Sequence, residues 1–81
     1  MTAEAEYSMG NYYLLLGQPK NSLQYLQRAI EIRKNILGYE NESTVRYLES
    51  LAQVYETMGE QSEAEKSRTE AEILANRLGM R

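Results

Sequence analysis

The sequence predicts an all-α chain, four helices folded as antiparallel helical hairpins and stacked into a short solenoid. Three observations carry that expectation. Turn-favouring residues gather at only three places, Gly17-Gln18-Pro19, Gly38-Tyr39-Glu40-Asn41 and Gly59-Glu60-Gln61, which cut the chain into four segments. Those segments are rich in Ala, Leu, Glu, Gln and Arg, with few β-branched residues and no period-two alternation. The second half also repeats the first at an offset of 42: Gly17 pairs with Gly59, Met9 with Leu51, Gly10 with Ala52, Tyr12 with Val54, Tyr13 with Tyr55, Leu16 with Met58, Ser22 with Ala64 and Ala29 with Ala71. Small and bulky positions recur while polar ones do not, which is the pattern of helix pairs that pack on one another.

The first helix is expected over 3–16, with Gly10 allowing a close neighbour and Tyr13 filling the gap beside it. The second is expected over 19–37. It opens on Pro19, whose missing N–H costs nothing in a first helical turn, and it offers Leu23, Leu26 and Ile30 to the helix that follows. For the third, over 41–58, Asn41 is the expected N-cap. Its 3.6-residue period separates an apolar stripe (Thr44, Tyr47, Leu48, Leu51, Ala52, Val54, Tyr55, Met58) from a polar one (Arg46, Glu49, Ser50, Gln53, Glu56, Thr57). The fourth, over 61–78, carries Ser62 and Glu65 at the spacing of a capping box. There Glu65, Arg68 and Glu72 replace Leu23, Leu26 and Ile30, and a polar outer face is what the last unit of a solenoid requires. Residues 1–81 are thus expected to form one domain of two helix-pair repeats, about 3–38 and 41–79, at the C-terminal end of a longer array.

Composition narrows the function. The 81 residues include no Cys, His, Asp, Trp or Phe. Thiolate nucleophiles, disulfides, His-based metal sites and His general bases are therefore excluded, and an enzyme is not expected, because Ser and Glu alone give no base-activated nucleophile. Twelve acidic against nine basic residues give a net charge of −3, with the basic ones spread among glutamates. That balance disfavours a nucleic-acid surface. The longest apolar stretch, Tyr12 to Leu16, is too short to span a bilayer or to form a signal-peptide core. No membrane, metal or cofactor is expected, and the cytoplasm is the expected location. The Glu63, Glu65, Glu70 and Glu72 series alternates around its helix with Lys66 and Arg68 and reads as a solvated face. Asn41-Glu42-Ser43 matches a glycosylation sequon, but capping is the expected role of Asn41.

Taken together, Met9-Gly10-Asn11-Tyr12-Tyr13, Gly17, Ser22 and Ala29, echoed by Leu48, Leu51-Ala52, Tyr55, Gly59, Ala64 and Ala71, resemble the tetratricopeptide repeat. Arg28-Ala29-Ile30-Glu31-Ile32-Arg33 with Leu37-Gly38 looks like the ending found in kinesin light chains, whose long second helix makes a 42-residue unit in place of the usual ~34 residues. The resemblance implies a right-handed superhelix of helical hairpins that binds a peptide or helix of a protein partner on its concave face. It also implies that the first and third helices line that groove. Departures from the family pattern matter: Glu49-Ser50 stands where an Asn pair is usual, and Asn41-Glu42 where His-Pro is. Of the residues that clamp a C-terminal carboxylate in chaperone-binding relatives only Asn11 is present, with Tyr7 and Glu49 in place of Lys, so such a clamp is disfavoured.

Candidate partner-contacting residues follow from the polar stripe and its positions 42 residues earlier. They are Arg46, Glu49, Ser50 and Gln53 on the third helix, and Tyr7, Asn11, Leu14 and Leu15 on the first. Two readings stand beside each other. One is a non-catalytic scaffold or adaptor binding a protein or peptide partner; the other is a structural cap, or a segment that self-associates through the N-terminal helix pair, with no dedicated ligand. Tyr12, Tyr13 and Tyr55 are expected in the core, and Tyr7, Tyr39 and Tyr47 are candidates for partner contact, although Tyr47 equally suits packing between repeats.

Overall fold

A computed structural model describes residues 2–80 as four α-helices: α1 (Ala3–Leu15), α2 (Pro19–Ile32), α3 (Glu42–Thr57) and α4 (Gln61–Arg77), with a π-helical turn, Arg33–Leu37, continuing α2. No strand occurs among the described residues. α1 packs on α2, α2 on α3 and α3 on α4, whereas α1 touches α3 only slightly. Two layers of helices therefore form a slab of 33 × 29 × 17 Å. The neighbours of α3 are chiefly α2 and α4.

Both hairpin turns have one design. At the end of α1 the Gln18 N–H reaches Tyr13 O at 2.9 Å and the Gly17 N–H reaches Leu14 O at 3.1 Å, with Gly17 at φ 74°. At the end of α3, Glu60 and Gly59 make the same bonds to Tyr55 and Glu56, with Gly59 at φ 80°. This paired closure satisfies the orphan carbonyls of a helix end and needs a left-handed residue, which glycine supplies without steric cost. It also delivers the residue after the glycine directly as the N-cap of the next helix. Gln18 and Glu60 hold that position, without a side-chain cap bond. The capping box expected at Ser62 is accordingly absent; Gln61 is the first residue of α4, as Pro19 is of α2, and Ser62 lies inside the first turn. Asn41 behaves as expected, its Oδ1 accepting from the Ser43 N–H at 2.8 Å.

The second helix departs from α geometry where it was expected to continue. The Gly38 N–H donates to Arg33 O at 2.8 Å, five residues back, which closes the wider π turn. Ile36 and Leu37 project from it into solvent.

The core joins all four helices through Ala3, Leu26, Ala29, Ile30, Val45, Tyr47, Leu48, Leu51, Val54, Ala71, Leu74 and Ala75. Small residues set the helix spacing as the offset predicts: Ser22, Ala52 and Ala64 are buried, and so is Gly10. A Cβ added at Gly10 would stand 2.8 Å from Leu26 Cγ, so α1 meets α2 at a distance that only glycine fits. In the second hairpin Ala52 replaces Gly10 while the exposed Arg68 replaces Leu26, so the larger helix residue faces a side chain that can swing out to solvent.

Candidate functional site

The polar stripe of α3 is exposed, as its period requires. Arg46, Glu49 and Gln53 lie open and Ser50 is half-buried, while Thr44, Tyr47, Leu48, Leu51, Ala52 and Val54 turn inward. The Gln53 carbonyl accepts from Thr57 Oγ1 at 3.0 Å, which ties down the last turn of that face.

Where α1 meets α3, four side chains form one constellation. Tyr47 is fully buried, and its hydroxyl donates to Glu4 Oε1 at 2.9 Å. Arg46 Nη2 lies 3.6 Å from the same oxygen and donates to Ser43 Oγ at 3.2 Å. The Tyr7 ring lies 4.7 Å from that of Tyr47, tilted by 36°. Burial pushes the Tyr47 phenol above its ordinary value, and the Glu4 carboxylate beside it adds to the rise. Arg33 acts on Tyr47 in the opposite sense. Aromatic packing and a shared carboxylate thus tie Tyr7 and Arg46 together where α1 meets α3. Both Arg46 and Glu4 remain about half-exposed, so their pairing orients side chains more than it stabilises the fold.

The remaining candidates divide. Asn11 is half-buried on α1, and Leu14 is half-buried against the core, so Leu14 does not offer the open apolar surface expected of it. Tyr7 is likewise half-covered, by Tyr47. Leu15 alone of the three is open, at 87% exposure. Among the tyrosines, Tyr47 takes the packing role of the two open to it, being fully buried in the core. Tyr12, expected in the core, is corrected to an open residue, being 54% exposed. Tyr13 and Tyr55 are half-buried: Tyr13 stacks on Tyr25 with centroids 5.4 Å apart, and Tyr55 Oη accepts from Gln27 Nε2 at 3.4 Å across the two hairpins. Tyr39 is half-buried under Lys34, whose Nζ is 5.7 Å from the ring centre.

Residues outside the expected set are also exposed. Met9, Tyr12 and Leu16 form an open stripe along α1, and Glu6 beside them is buried with Oε2 lacking a hydrogen-bond partner. The 42-residue counterparts of this stripe are core residues of α3, which is the ground for expecting Tyr12 inside; among the described residues no helix packs over it. On the side of the second helices a cleft of about 490 Å³ lies between α2 and α4, floored by Ile30, Leu48 and Leu51 and edged by Glu31, Lys34 and Lys66.

No group of carboxylates suited to a metal ion occurs among the described residues. None of the described helices is long and apolar enough to cross a membrane. A family model for the tetratricopeptide repeat matches residues 1–72. Neither a search of curated proteins nor one of solved structures returned a match.

Proposed function

The chain belongs to the tetratricopeptide repeat family, and from that premise we propose that it is a non-catalytic interaction module. It binds a peptide or helix of a protein partner along the face shared by α1 and α3. The observation that supports this reading is the Glu4, Tyr7, Arg46 and Tyr47 constellation, in which buried aromatic packing presets a charged rim on two different helices. Side chains already ordered in the free protein lose less freedom on binding. Asn11, Glu49, Ser50 and Gln53 complete the contact set, and Leu15 supplies an apolar anchor at the end of α1. The chain has no His, Cys or Asp with which to build a base-activated nucleophile, which accords with a scaffold or adaptor role. The same reading assigns it to the cytoplasm, and to a kinesin-light-chain-like branch of the family.

A second reading, a structural cap or self-associating segment, is favoured by the polar Glu65, Arg68 and Glu72 on α4 and by the open Leu15. Pull-down with mass spectrometry on the wild type, Asn11→Ala, Arg46→Glu and Leu15→Glu separates them. The binding reading expects Asn11→Ala and Arg46→Glu to lose partners with helicity and mass unchanged. Partners retained by both variants, together with an altered sedimentation coefficient for Leu15→Glu, would refute it in favour of assembly.

A further inference from the structure

Along α2 and α4 the charges that face the cleft between the hairpins alternate in opposite order. From the turn end, α2 presents Gln27, Glu31 and Lys34, while α4 presents Glu63, Lys66 and Glu70. Steps of three or four residues make each series one stripe of its helix. Tyr55 fixes their relative level. Its hydroxyl accepts from Gln27 Nε2 at 3.4 Å, and its carbonyl closes the turn into α4 by accepting from the Glu60 N–H at 2.8 Å, so Gln27 and the first turn of α4, with Glu63, stand level. α2 and α4 run in the same direction, so that register sets Glu31 opposite Lys66 and Lys34 opposite Glu70.

These two rungs are not joined. Lys66 pairs with Glu63 of its own helix, Nζ to Oε1 at 3.5 Å, and Lys34 lies over the Tyr39 ring. Glu31 and Glu70 are exposed and have no ion pair among the described residues. The rung at the far end of the same seam is joined, because Arg77 of α4 reaches Glu40, in the loop that follows the π turn, at 3.3 Å. Between the walls lies the space of about 490 Å³ over Ile30, Leu48 and Leu51. The packing of α1 on α2 and of α3 on α4 is more extensive than that of α2 on α3, so the cleft lies over the more compliant junction.

We propose that this seam is an electrostatic clasp that sets the angle between the two hairpins. When they roll about the α2–α3 contact, Lys34 meets Glu70 and Lys66 is shared between Glu63 and Glu31, which extends the Arg77–Glu40 rung along the cleft. Exposed pairs are weak singly, each biasing an equilibrium by up to about fivefold, and salt screens them. The clasp therefore closes at low ionic strength and releases at high. α1 and α3 form the opposite layer, so closure on this side parts them on the other. Its effect on a groove ligand rests on the groove reading, and the clasp itself does not.

The chain contains no Cys, so Gln24→Cys on α2 and Thr69→Cys on α4, both exposed and outside the cleft, take nitroxide labels at those positions alone. Pulsed electron–electron resonance reads the distance between them at about 0.01 M and about 1 M salt, where the Debye length is about 30 Å and about 3 Å. A shift to shorter distance at low salt is expected. Lys34→Glu should abolish that shift, and Lys34→Glu combined with Glu70→Lys should restore it, with circular dichroism reporting that each variant is folded. Glu65→Lys, on the outer face of α4, changes the charge by as much as Lys34→Glu and should leave the shift in place. A distance indifferent to salt would overturn the proposal. So would an exchanged pair that fails to restore the shift, or loss of the shift in Glu65→Lys, which would make overall charge its cause. Partner capture is not read in this experiment, so the groove reading and the clasp fail separately.

Discussion

Replacing Gly10 by Ala tests the closest approach in the molecule. The new Cβ would meet Leu26 Cγ at 2.8 Å, Leu26 Cδ2 at 2.9 Å and the Ser22 carbonyl oxygen at 3.4 Å. Carbon atoms in contact prefer about 3.5–4.0 Å, so Leu26 must move by roughly 0.7 Å or more, or the helices must part. Leu26 is fully buried and has no open side to move towards. Overpacking of this kind costs about 1–3 kcal/mol. Alanine returns about 1 kcal/mol through its better helix propensity. The expected net loss is about 1 kcal/mol, which for a domain of this size lowers Tm by about 4–8 °C. Thermal melts followed by far-UV circular dichroism measure it. Leu26→Ala alone should cost about 2–5 kcal/mol. Because the two side chains collide, the double variant should lose less than the sum of the singles by more than about 0.5 kcal/mol. A Tm that rises in Gly10→Ala, or strict additivity, would refute the close packing of α1 on α2.

Ala52→Leu should overpack the second hairpin and cost about 1–3 kcal/mol, since Ala52 is 3% exposed; an unchanged melt would break the 42-residue correspondence. Asn41→Ala should cost about 1 kcal/mol through loss of the cap bond to Ser43, whereas Ser62→Ala should stay within about 0.5 kcal/mol, and chemical denaturation compares them directly. Tyr47→Phe should cost about 0.5–1.5 kcal/mol at neutral pH by removing the hydrogen bond to Glu4. The phenol's folded-state pKa is raised above its ordinary 10.0, so its contribution is fully present below that value and is lost as pH rises through the folded value. The difference in Tm between wild type and Tyr47→Phe should therefore shrink at alkaline pH, and a difference that widens there would contradict the assigned burial.

The features legible in the sequence are those decided within a few residues. Gly17 and Gly59 end helices because a left-handed residue is needed there, Asn41 caps α3 with its own side chain, and Pro19 begins α2. Reading Ser62 as a cap failed because the closure around Gly59 had already made Glu60 the first flanking residue, an outcome that the match of Pro19 to Gln61 contained. The candidate site was less legible. Tyr47 and Tyr12 have similar side chains at inward-facing positions of repeated helices, yet one is enclosed and the other open, because enclosure depends on a neighbour supplied from elsewhere in space. Leu14 reaches the core for the same reason in reverse. The π turn at Arg33–Leu37 has no residue signature that separates it from continued α-helix.

Packing of each helix mainly on its immediate successor in the chain sets the pace of folding. Most native contacts can form by closing a single short turn, so the entropy of gathering distant segments is small and little of the barrier comes from topology. Helical chains of this kind fold in microseconds to milliseconds, with a limiting time of roughly 1 μs for this length. Either hairpin can start the process. Because α1 packs on α2 as fully as α4 packs on α3, and α2 meets α3 less extensively, the hairpins should form first and the junction between α2 and α3 should close last and open first. The proposed contact residues lie on both hairpins, on α1 and on α3, so a ligand that spans them would clamp the junction that opens at least cost and slow unfolding there.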